Sequence, residues 1–344
     1  MRYRYLGRTG MRVSPLCLGT LMLGSWGHND TDSSIRIIDE ALDAGINFID
    51  TADVYSAGRT EEIIGKALAR RHGREHIVLC TKVHAPMGPD PNFRGNSRRW
   101  IIQAAENSLR RLGTDWIDLY QVHRPDPMTD IDETLGALTD LVRTGKVRYL
   151  GSSTFPADQI VEAQWSAERR STERFVCEQP PYSLLARGVE ADVLPACRRH
   201  DMGVVTWSPL AGGWLTGRYR SGKAVPDTKR SARWPRRYDM SLRANQEKLA
   251  VTDDLAELAE QSGLSMTELA LAFVLEHPVV TSAIIGPRTP EQLSGLLSAP
   301  QVSLGPDVLD RIDEIVAPGT TFNAEDAGWQ APELGDPAAR RRHG

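Results

Sequence analysis

Residues 117–152 read IDLYQVHRPDPMTDIDETLGALTDLVRTGKVRYLGS and contain two candidate strands separated by a candidate helix. The runs Ile117–His123 and Val147–Ser152 are short and mostly apolar, which is typical of buried strands. Between them, Ile131–Arg143 repeats its apolar side chains at helical spacing. Strands that are apolar on both faces are typical of parallel sheets covered on both sides. This stretch therefore indicates a parallel β/α fold.

The same alternation continues along most of the chain, and eight strands that are each followed by a helix predict a (β/α)8 TIM barrel. The predicted strands are Pro15–Gly19, Asn47–Asp50, Ile77–Lys82, Ile117–His123, Val147–Ser152, Phe175–Gln179, Val204–Trp207 and Ala283–Ile285. The predicted helices are Asp32–Ala44, Thr60–Arg71, Ser97–Leu112, Ile131–Arg143, Ala157–Ala167, Val189–His200, Leu255–Gln261, Met266–Glu276 and Pro290–Leu297. An open doubly wound sheet is the alternative, but the Gly-x-Gly-x-x-Gly turn by which such sheets bind dinucleotides is absent from the sequence.

Three segments lie outside this alternation. Residues Tyr3–Leu6 and Met11–Val13 predict an N-terminal hairpin that plugs the bottom of the barrel, and Asp307–Val316 predicts an extra C-terminal helix. We therefore expect a single domain over residues 1–317, followed by a flexible tail over residues 318–344. Residues Gly217–Gln246 predict a long, arginine-rich loop, which is either functional or a solvated charged surface.

Composition narrows the class of protein. The 344 residues are 40% hydrophobic and 25% charged with a formal net charge of −4, which is typical of a globular protein and not of a general nucleic-acid binder. The N-terminal ten residues lack the apolar core of a signal peptide, and no apolar run approaches the ~20 residues of a membrane-spanning helix. The four cysteines form no CxxC pair, so we expect a cytoplasmic protein without disulfides or a cysteine zinc site.

Four polar residues follow neighbouring predicted strands, where the active sites of such barrels lie. Asp50, Lys82 and His123 each end a strand, and Tyr55 follows five residues after Asp50. A phenol is a poor proton donor at neutral pH, but a nearby ammonium favours the phenolate and lowers the phenol pKa. With a carboxylate to hold the ammonium and an imidazole to bind a substrate oxygen, the set predicts a general acid beside a carbonyl group.

An ordinary structural role is an alternative explanation for each of these residues. A lone Asp at a strand end often caps the next turn, and a lone His there is as often a hydrogen-bonded core residue. Lys82 is more informative, because 35 of the 41 basic residues are Arg and yet a Lys stands at the end of a buried strand. Lys can release its proton in a useful pH range, whereas Arg cannot.

The chain resembles the aldo-keto reductases from Tyr3 to Val316. Asn47-Phe-Ile-Asp-Thr-Ala-Asp-Val-Tyr55 is similar to the family signature around its catalytic Asp and Tyr, and Asp118-Leu-Tyr-Gln-Val-His-Arg-Pro-Asp126 to the signature around its His. The resemblance implies that Tyr55 is the general acid, that Lys82 and Asp50 lower its pKa and that His123 orients the carbonyl. It also implies hydride transfer from NADPH to an aldehyde or ketone on a TIM barrel, and no metal site.

The resemblance extends to a bacterial branch with Trp207-Ser-Pro-Leu-Ala211 after the seventh strand. It implies that Trp207 stacks on the nicotinamide, that the segment from Leu210 with Arg218 holds the pyrophosphate, and that Thr20, Ser153 and Gln179 hold the ribose and carboxamide. The whole implied cofactor site is Thr20, Asp50, Ser153, Thr154, Gln179, Trp207, Ser208, Leu210, Gly212, Arg218, Gly286, Arg288, Thr289 and Gln292. Thr154 departs from an Asn common in the family, which weakens the implied carboxamide contact.

Helix-capping residues predict where the adenosine end of the cofactor binds. Thr289 suits an N-cap, Pro290 the first helical position and Gln292 the third, which together predict a capping box at an anion-binding helix N-terminus. Arg288 adds a charge suited to a 2′-phosphate, so we expect NADPH (or NADP+) rather than NADH. An ordinary capped surface helix is the alternative. The family often has Glu-Asn where this chain has Gly295-Leu296, so that adenine contact is expected to be lost.

Substrate contacts are expected from Trp26, His84, Arg124 and the loop Gly217–Gln246, around a small carbonyl compound. Three other functions are alternatives to a reductase of simple carbonyl compounds. They are a nucleotide-linked ketosugar reductase of secondary metabolism, a slow-turnover NADPH-binding regulatory subunit, and a metal-dependent isomerase, for which Asp50 and His123 are too few ligands. We expect a monomer or weak homo-oligomer with no nucleic-acid or membrane partner.

Overall fold

The computed structural model describes residues 1–27, 30–71 and 73–341. Two short strands, β1 (Arg4–Tyr5) and β2 (Arg12–Val13), form an antiparallel hairpin. Eight parallel strands then close a barrel in chain order, the last pairing with the first. They are β3 (Leu16–Gly19), β4 (Phe48–Asp50), β5 (Val78–Val83), β6 (Ile117–Val122), β7 (Val147–Ser153), β8 (Phe175–Gln179), β9 (Gly203–Thr206) and β10 (Val280–Ile285). The TIM-barrel prediction is confirmed.

Helices surround the barrel and connect its strands. They are α1 (Thr31–Asp43), α2 (Arg59–Ala69), α3 (Arg98–Leu112), α4 (Ile131–Arg143), α5 (Ala157–Arg170), α6 (Val193–Arg199), α7 (Lys229–Arg233), α8 (Arg243–Gln261), α9 (Met266–Glu276), α10 (Pro290–Ser294), α11 (Pro306–Ile315) and α12 (Pro337–Arg340). Among the described residues, no helix has the length and apolar character needed to cross a membrane.

The hairpin covers one end of the barrel. Leu6 and Val13 are fully buried in a cluster with strand residues that include Phe48, Leu119 and Val205. Burying a side chain of this size typically stabilises a fold by ~1.5–3 kcal/mol, so the hairpin contributes to the barrel core. This agrees with the predicted plug and leaves the opposite end, at the carboxyl termini of the strands, for the functional site.

Two elements, β10 and α8, begin at earlier residues than predicted, because polar residues in them are buried. Strand β10 begins at Val280, three residues before the predicted start, since Thr281 and Ser282 lie inside the sheet. Helix α8 begins at Arg243 and not at Leu255, and it buries Asn245, Lys248 and Thr252. A search for apolar periodicity does not detect such a face. The predicted loop Gly217–Gln246 therefore contains α7 and the first turn of α8.

The chain also packs beyond the predicted end of the domain. Asn323 and Asp326 are only 5% and 3% exposed. The Asp326 carboxylate accepts hydrogen bonds from Arg237 Nε (2.6 Å) and Lys248 Nζ (2.9 Å). Residues 323–326 therefore pack on a segment about 80–90 residues away in sequence, a contact that the expectation of a flexible tail from Pro318 does not include.

Candidate active site

The four residues of the predicted catalytic set meet at the carboxyl end of the barrel. Asp50 ends β4, Lys82 lies near the end of β5 and His123 follows β6, while Tyr55 begins a 3₁₀ turn after β4. Asp50, Tyr55 and His123 line one cavity of about 840 Å³, and Lys82 lies buried beside them. Neighbouring parallel strands bring these ends together, so the local order of the sequence fixes their proximity.

Lys82 and Asp50 form a buried ion pair. Lys82 Nζ lies 2.6 Å from Asp50 Oδ1 and also donates to the carbonyl oxygen of Thr51 at 2.9 Å. Burial lowers the pKa of Lys82, but Asp50 and the neighbouring Tyr55 more than offset this, so the pKa lies above its ordinary value. Lys82 is therefore a fixed positive charge at neutral pH, held in place by the carboxylate.

Tyr55 lies above this charge. Lys82 Nζ is 5.4 Å from the centre of the Tyr55 ring. Burial raises the pKa of Tyr55, and although Lys82 lowers it, burial is the larger effect and the pKa lies above its ordinary value. The expected net lowering is thus absent from this structure. The phenol is protonated at neutral pH, so it can donate a proton, and Lys82 stabilises the phenolate that this would leave.

His123 completes the set. Its ring meets that of Tyr55 edge-on, with 5.9 Å between ring centres and 73° between planes. Burial lowers the pKa of His123 well below its ordinary value, and the charges of Arg124 and Lys82 lower it further. The imidazole is therefore neutral, with one nitrogen able to donate a hydrogen bond to a substrate oxygen.

Two glutamine side chains stabilise the position of Asp50, and only Gln179 is among the predicted site residues. Gln179 Nε2 donates to Asp50 Oδ1 (2.8 Å) and lies 3.0 Å from Gln121 Oε1. The fully buried Gln121 also accepts from Cys80 Sγ and donates to the carbonyl oxygen of Ser152. Gln121 was not predicted, because it lies inside a strand that is otherwise mostly apolar.

The segment after β9 forms one wall of the same cavity. Trp207 lines it and donates from Nε1 to Thr154 Oγ1 at 3.3 Å. Ser208, Ala211, Gly212 and Gly213 all have positive φ angles (55°, 47°, 69° and 109°), which is costly for the two that carry a Cβ. Such strained turns cluster at ligand sites, where they aim backbone groups at a ligand.

Three further arginines line the same cavity. Arg218, Arg230 and Arg288 line it together with Gly212 and Gly286. Within the described residues, none of the three has a carboxylate at ion-pair distance. Arginines without acidic partners at a glycine-rich turn suit phosphate groups, so the residues present fit a dinucleotide phosphate. Arg230 was missed because it lies in a long segment with nine basic residues.

The predicted capping box at the adenosine end is only half present. Thr289 Oγ1 accepts from Gln292 N at 3.3 Å, but Gln292 Oε1 accepts from Arg288 N rather than from the N-cap backbone. Helix α10 has only five residues. Its dipole is therefore small, and the guanidinium of Arg288 supplies most of the charge at this end.

The cavity contains most but not all of the predicted binding residues. Those that line it are Trp26, Asp50, Tyr55, His123, Arg124, Ser153, Gln179, Trp207, Ser208, Leu210, Gly212, Arg218, Gly286, Arg288 and Gln292. Three predicted residues do not line the cavity but bond to residues that do. Thr20 bonds to Asp50, Thr154 to Trp207 and Thr289 to Gln292. His84, predicted as a substrate contact, instead bonds to Asn96 Oδ1 (3.0 Å) and does not line the cavity.

Comparison with known proteins places this geometry in context. The model of the aldo/keto reductase family matches residues 15–317. An uncharacterized oxidoreductase, YrpG of Bacillus subtilis, is 44% identical over 92% of this chain and 96% of its own. A probable voltage-gated potassium channel subunit beta of Arabidopsis thaliana is 36% identical over 92% of this chain and 97% of its own. A versiconal hemiacetal acetate reductase of Aspergillus parasiticus is 32% identical over 92% and 98%.

Proposed function

The chain belongs to the aldo/keto reductase family, and from this premise we propose that it is an NADPH-dependent reductase of aldehydes or ketones. One observation carries the proposal. A buried Lys82–Asp50 ion pair lies beside Tyr55 and His123, and arginines without acidic partners among the described residues line the same cavity. The four residues suit proton donation to a carbonyl oxygen, and the arginines suit the phosphates of a dinucleotide.

Bound NADPH would supply the hydride. Trp207 offers a flat aromatic face for the nicotinamide, and Ser153 and Gln179 offer polar groups for its carboxamide. Arg218, Arg230 and Arg288 would hold the phosphates. The preference for NADPH over NADH is assigned to Arg288, which lies beside the N-terminus of α10.

Tyr55 and His123 would bind the carbonyl oxygen of the substrate, each with a donated hydrogen bond. The Tyr55 hydroxyl then gives its proton to this oxygen, and Lys82 stabilises the phenolate by its charge. Asp50 keeps Lys82 charged and fixed, and Gln179 fixes Asp50. Trp26, whose ring centre is 5.9 Å from that of Tyr55, shields the site from water.

Two measurements on the purified protein test the proposal. In the first, Trp fluorescence is followed while NADPH and then NADH are added, and we expect quenching by NADPH at much lower concentration. In the second, NADPH oxidation is followed with a panel of aldehydes for wild type, Tyr55→Phe and the matched control Tyr5→Phe, whose ring is exposed on the hairpin. Loss of turnover of about 100-fold or more only in Tyr55→Phe supports the proton-donor role. Absence of quenching by either nucleotide would overturn the cofactor assignment.

A second function is favoured by one comparison. Relatives at 36% identity are named potassium channel subunits beta, so we also consider a slow-turnover, NADPH-binding regulatory subunit. Stopped-flow and steady-state rates with the same aldehyde separate the two functions. A reductase turns over repeatedly, whereas a sensor would oxidise one equivalent of NADPH and then retain the nucleotide. The cytoplasmic location and the monomeric or weakly oligomeric state stay predictions.

A further inference from the structure

Two arginines line the cavity at its Tyr55 end, away from the residues assigned to the cofactor phosphates. Arg124 directly follows His123, and Arg233 belongs to α7, which lies across the cavity mouth. Within residues 1–27, 30–71 and 73–341, neither guanidinium has a carboxylate at ion-pair distance. The Arg124 side chain is half-buried, whereas Arg233 is exposed. A half-buried positive charge without an acidic partner is costly, so the cost falls on Arg124 and indicates that a ligand supplies its partner.

Among the described residues, only Nη1 of the Arg124 guanidinium has a hydrogen-bond acceptor. Its Nη1 donates to the carbonyl oxygen of His123 and approaches Ser153 Oγ at 3.5 Å. Its guanidinium carbon lies 5.9 Å from the centre of the Trp207 ring. A guanidinium has five N–H donors in a planar fork that matches a carboxylate or phosphate, so Nε and Nη2 are left for a ligand.

Arg233 is fixed at the mouth by contacts across the opening. Its guanidinium carbon lies 3.7 Å from the centre of the Trp26 ring. The same helix is tied to this side by Lys229 Nζ, which donates to the carbonyl oxygen of Gly27 at 2.8 Å. Stacking orients a guanidinium without neutralising it, so Arg233 adds positive charge where a substrate would enter.

The acidic residues of the cavity are already paired. Asp50 is bonded to Lys82, and Glu325 lies 3.2 Å from Arg236. The cofactor phosphates would use Arg218, Arg230 and Arg288. Glu178 is the one carboxyl whose charge acts on Arg124, and it is committed to hydrogen bonds from Ser152 Oγ and Phe155 N. Among the described residues, Arg124 and Arg233 therefore keep positive charge that no ion pair offsets.

We propose that the substrate is an anionic carbonyl compound, an aldehyde or ketone bearing a carboxylate or phosphate, and that Arg124 binds this anionic group. Arg233 attracts the same group at the mouth. The inference rests on the proposed reductase function and adds the substrate class to it. It also predicts that substrate capture weakens as ionic strength rises.

The test compares charged and neutral aldehydes of matched shape with NADPH and the full-length protein. The probes are 3- and 4-formylbenzoate with their methyl esters, and 4-formylphenyl phosphate with 4-methoxybenzaldehyde. We expect kcat/KM to be about 10- to 100-fold higher for the anionic member of at least one pair, which is the range of a charge-assisted hydrogen bond. The carboxylate and phosphate pairs show which anion is preferred.

Variants then assign the preference. The preference is measured as the ratio of kcat/KM for the anionic and neutral members of each pair. Arg124→Met is expected to bring this ratio close to 1, mainly through the KM of the anionic member, Arg124→Lys to restore part of it, and Arg233→Gln to reduce it less. The control is Arg36→Met, a charge-matched change on the exposed face of α1. A purely structural role for Arg124 would lower the rates with esters and acids equally.

The outcomes separate this inference from the proposed function. Reduction of the neutral aldehydes with no preference for the anionic ones, or a preference that survives in Arg124→Met, overturns the inference and leaves the reductase function intact. Reduction of neither class, together with no quenching by NADPH, overturns both.

Discussion

Asp326 connects the C-terminal segment to the wall of the active-site cavity, and its charge can be removed with little change in shape. Its carboxylate is 3% exposed and accepts hydrogen bonds from Arg237 Nε (2.6 Å) and Lys248 Nζ (2.9 Å). Lys248 is fully buried, and its other close groups are the carbonyl oxygen of Arg237 (3.2 Å) and the Trp214 ring (4.4 Å). Asp326→Asn would leave this ammonium without a countercharge.

The expected cost follows from the burial of Lys248. Breaking a buried ion pair by removing one partner typically costs ~3–5 kcal/mol, because an uncompensated charge remains. Burial already lowers the pKa of Lys248, and Asp326 is the main opposing effect. In Asp326→Asn this pKa falls further. Because the folded pKa then lies below the unfolded one, the variant is penalised most below the folded pKa and recovers as pH rises towards the unfolded value.

Urea unfolding of wild type, Asp326→Asn and Asp326→Asn/Lys248→Met measures this directly. We expect the single variant to lose ~3 kcal/mol of unfolding free energy at pH 7. The double variant should recover part of this loss, because Lys248 no longer carries an uncompensated charge while Arg237 still lacks its carboxylate partner. The matched control is Asp201→Asn, whose carboxylate forms an exposed pair with Arg8 (3.2 Å) and should cost less than ~1 kcal/mol. A loss below ~1 kcal/mol in Asp326→Asn, or an equal loss in the double variant, would refute this reasoning.

Three further predictions concern single residues. Arg288→Gln should weaken NADPH binding about 10-fold while leaving NADH binding unchanged, measured by fluorescence titration, and equal losses for both nucleotides would contradict the 2′-phosphate role. Gly328→Ala should weaken NADPH binding, since the backbone there has φ of 82° and a Cβ would lie 2.4 Å from Trp207 Cζ2; unchanged affinity would show that Trp207 does not hold the nicotinamide. Asp53 has both carboxylate oxygens buried without a partner among the described residues, and burial raises its pKa well above the ordinary value. Keeping this carboxyl protonated in the fold therefore costs more free energy as pH rises above the unfolded pKa. In unfolding experiments, the stability of Asp53→Asn relative to wild type should increase from pH 4 to pH 8. A stability difference that stays constant with pH would contradict this.

The catalytic set could be predicted from the sequence because its position depends on local order alone. Asp50, Lys82 and His123 follow consecutive strands, and closing a parallel barrel brings consecutive strand ends together. The structure places all three, with Tyr55, at one cavity or directly beside it. Their chemical roles stay predictions until the variants are measured.

Other parts of the site depend on contacts that no local pattern reveals. Asp326 joins residues 78 and 89 positions away. Arg230 is one of many arginines in a segment without apolar periodicity, and only folding selects it to line the cavity. His84 was expected as a substrate contact, and its side chain bonds to Asn96 and is not among the residues that line the cavity.

Hydride transfer to a carbonyl carbon is the step that defines the proposed reaction, and isotope transfer tests it most directly. The purified protein is incubated with NADPH deuterated at the nicotinamide C4 and an aldehyde that it reduces, and the alcohol is examined by mass spectrometry. We predict that the alcohol carries the deuterium when one of the two C4 positions is labelled and not when the other is. Tyr55→Phe should yield almost no alcohol. An alcohol without deuterium from either label, or no oxidation of NADPH with any aldehyde, would contradict the account.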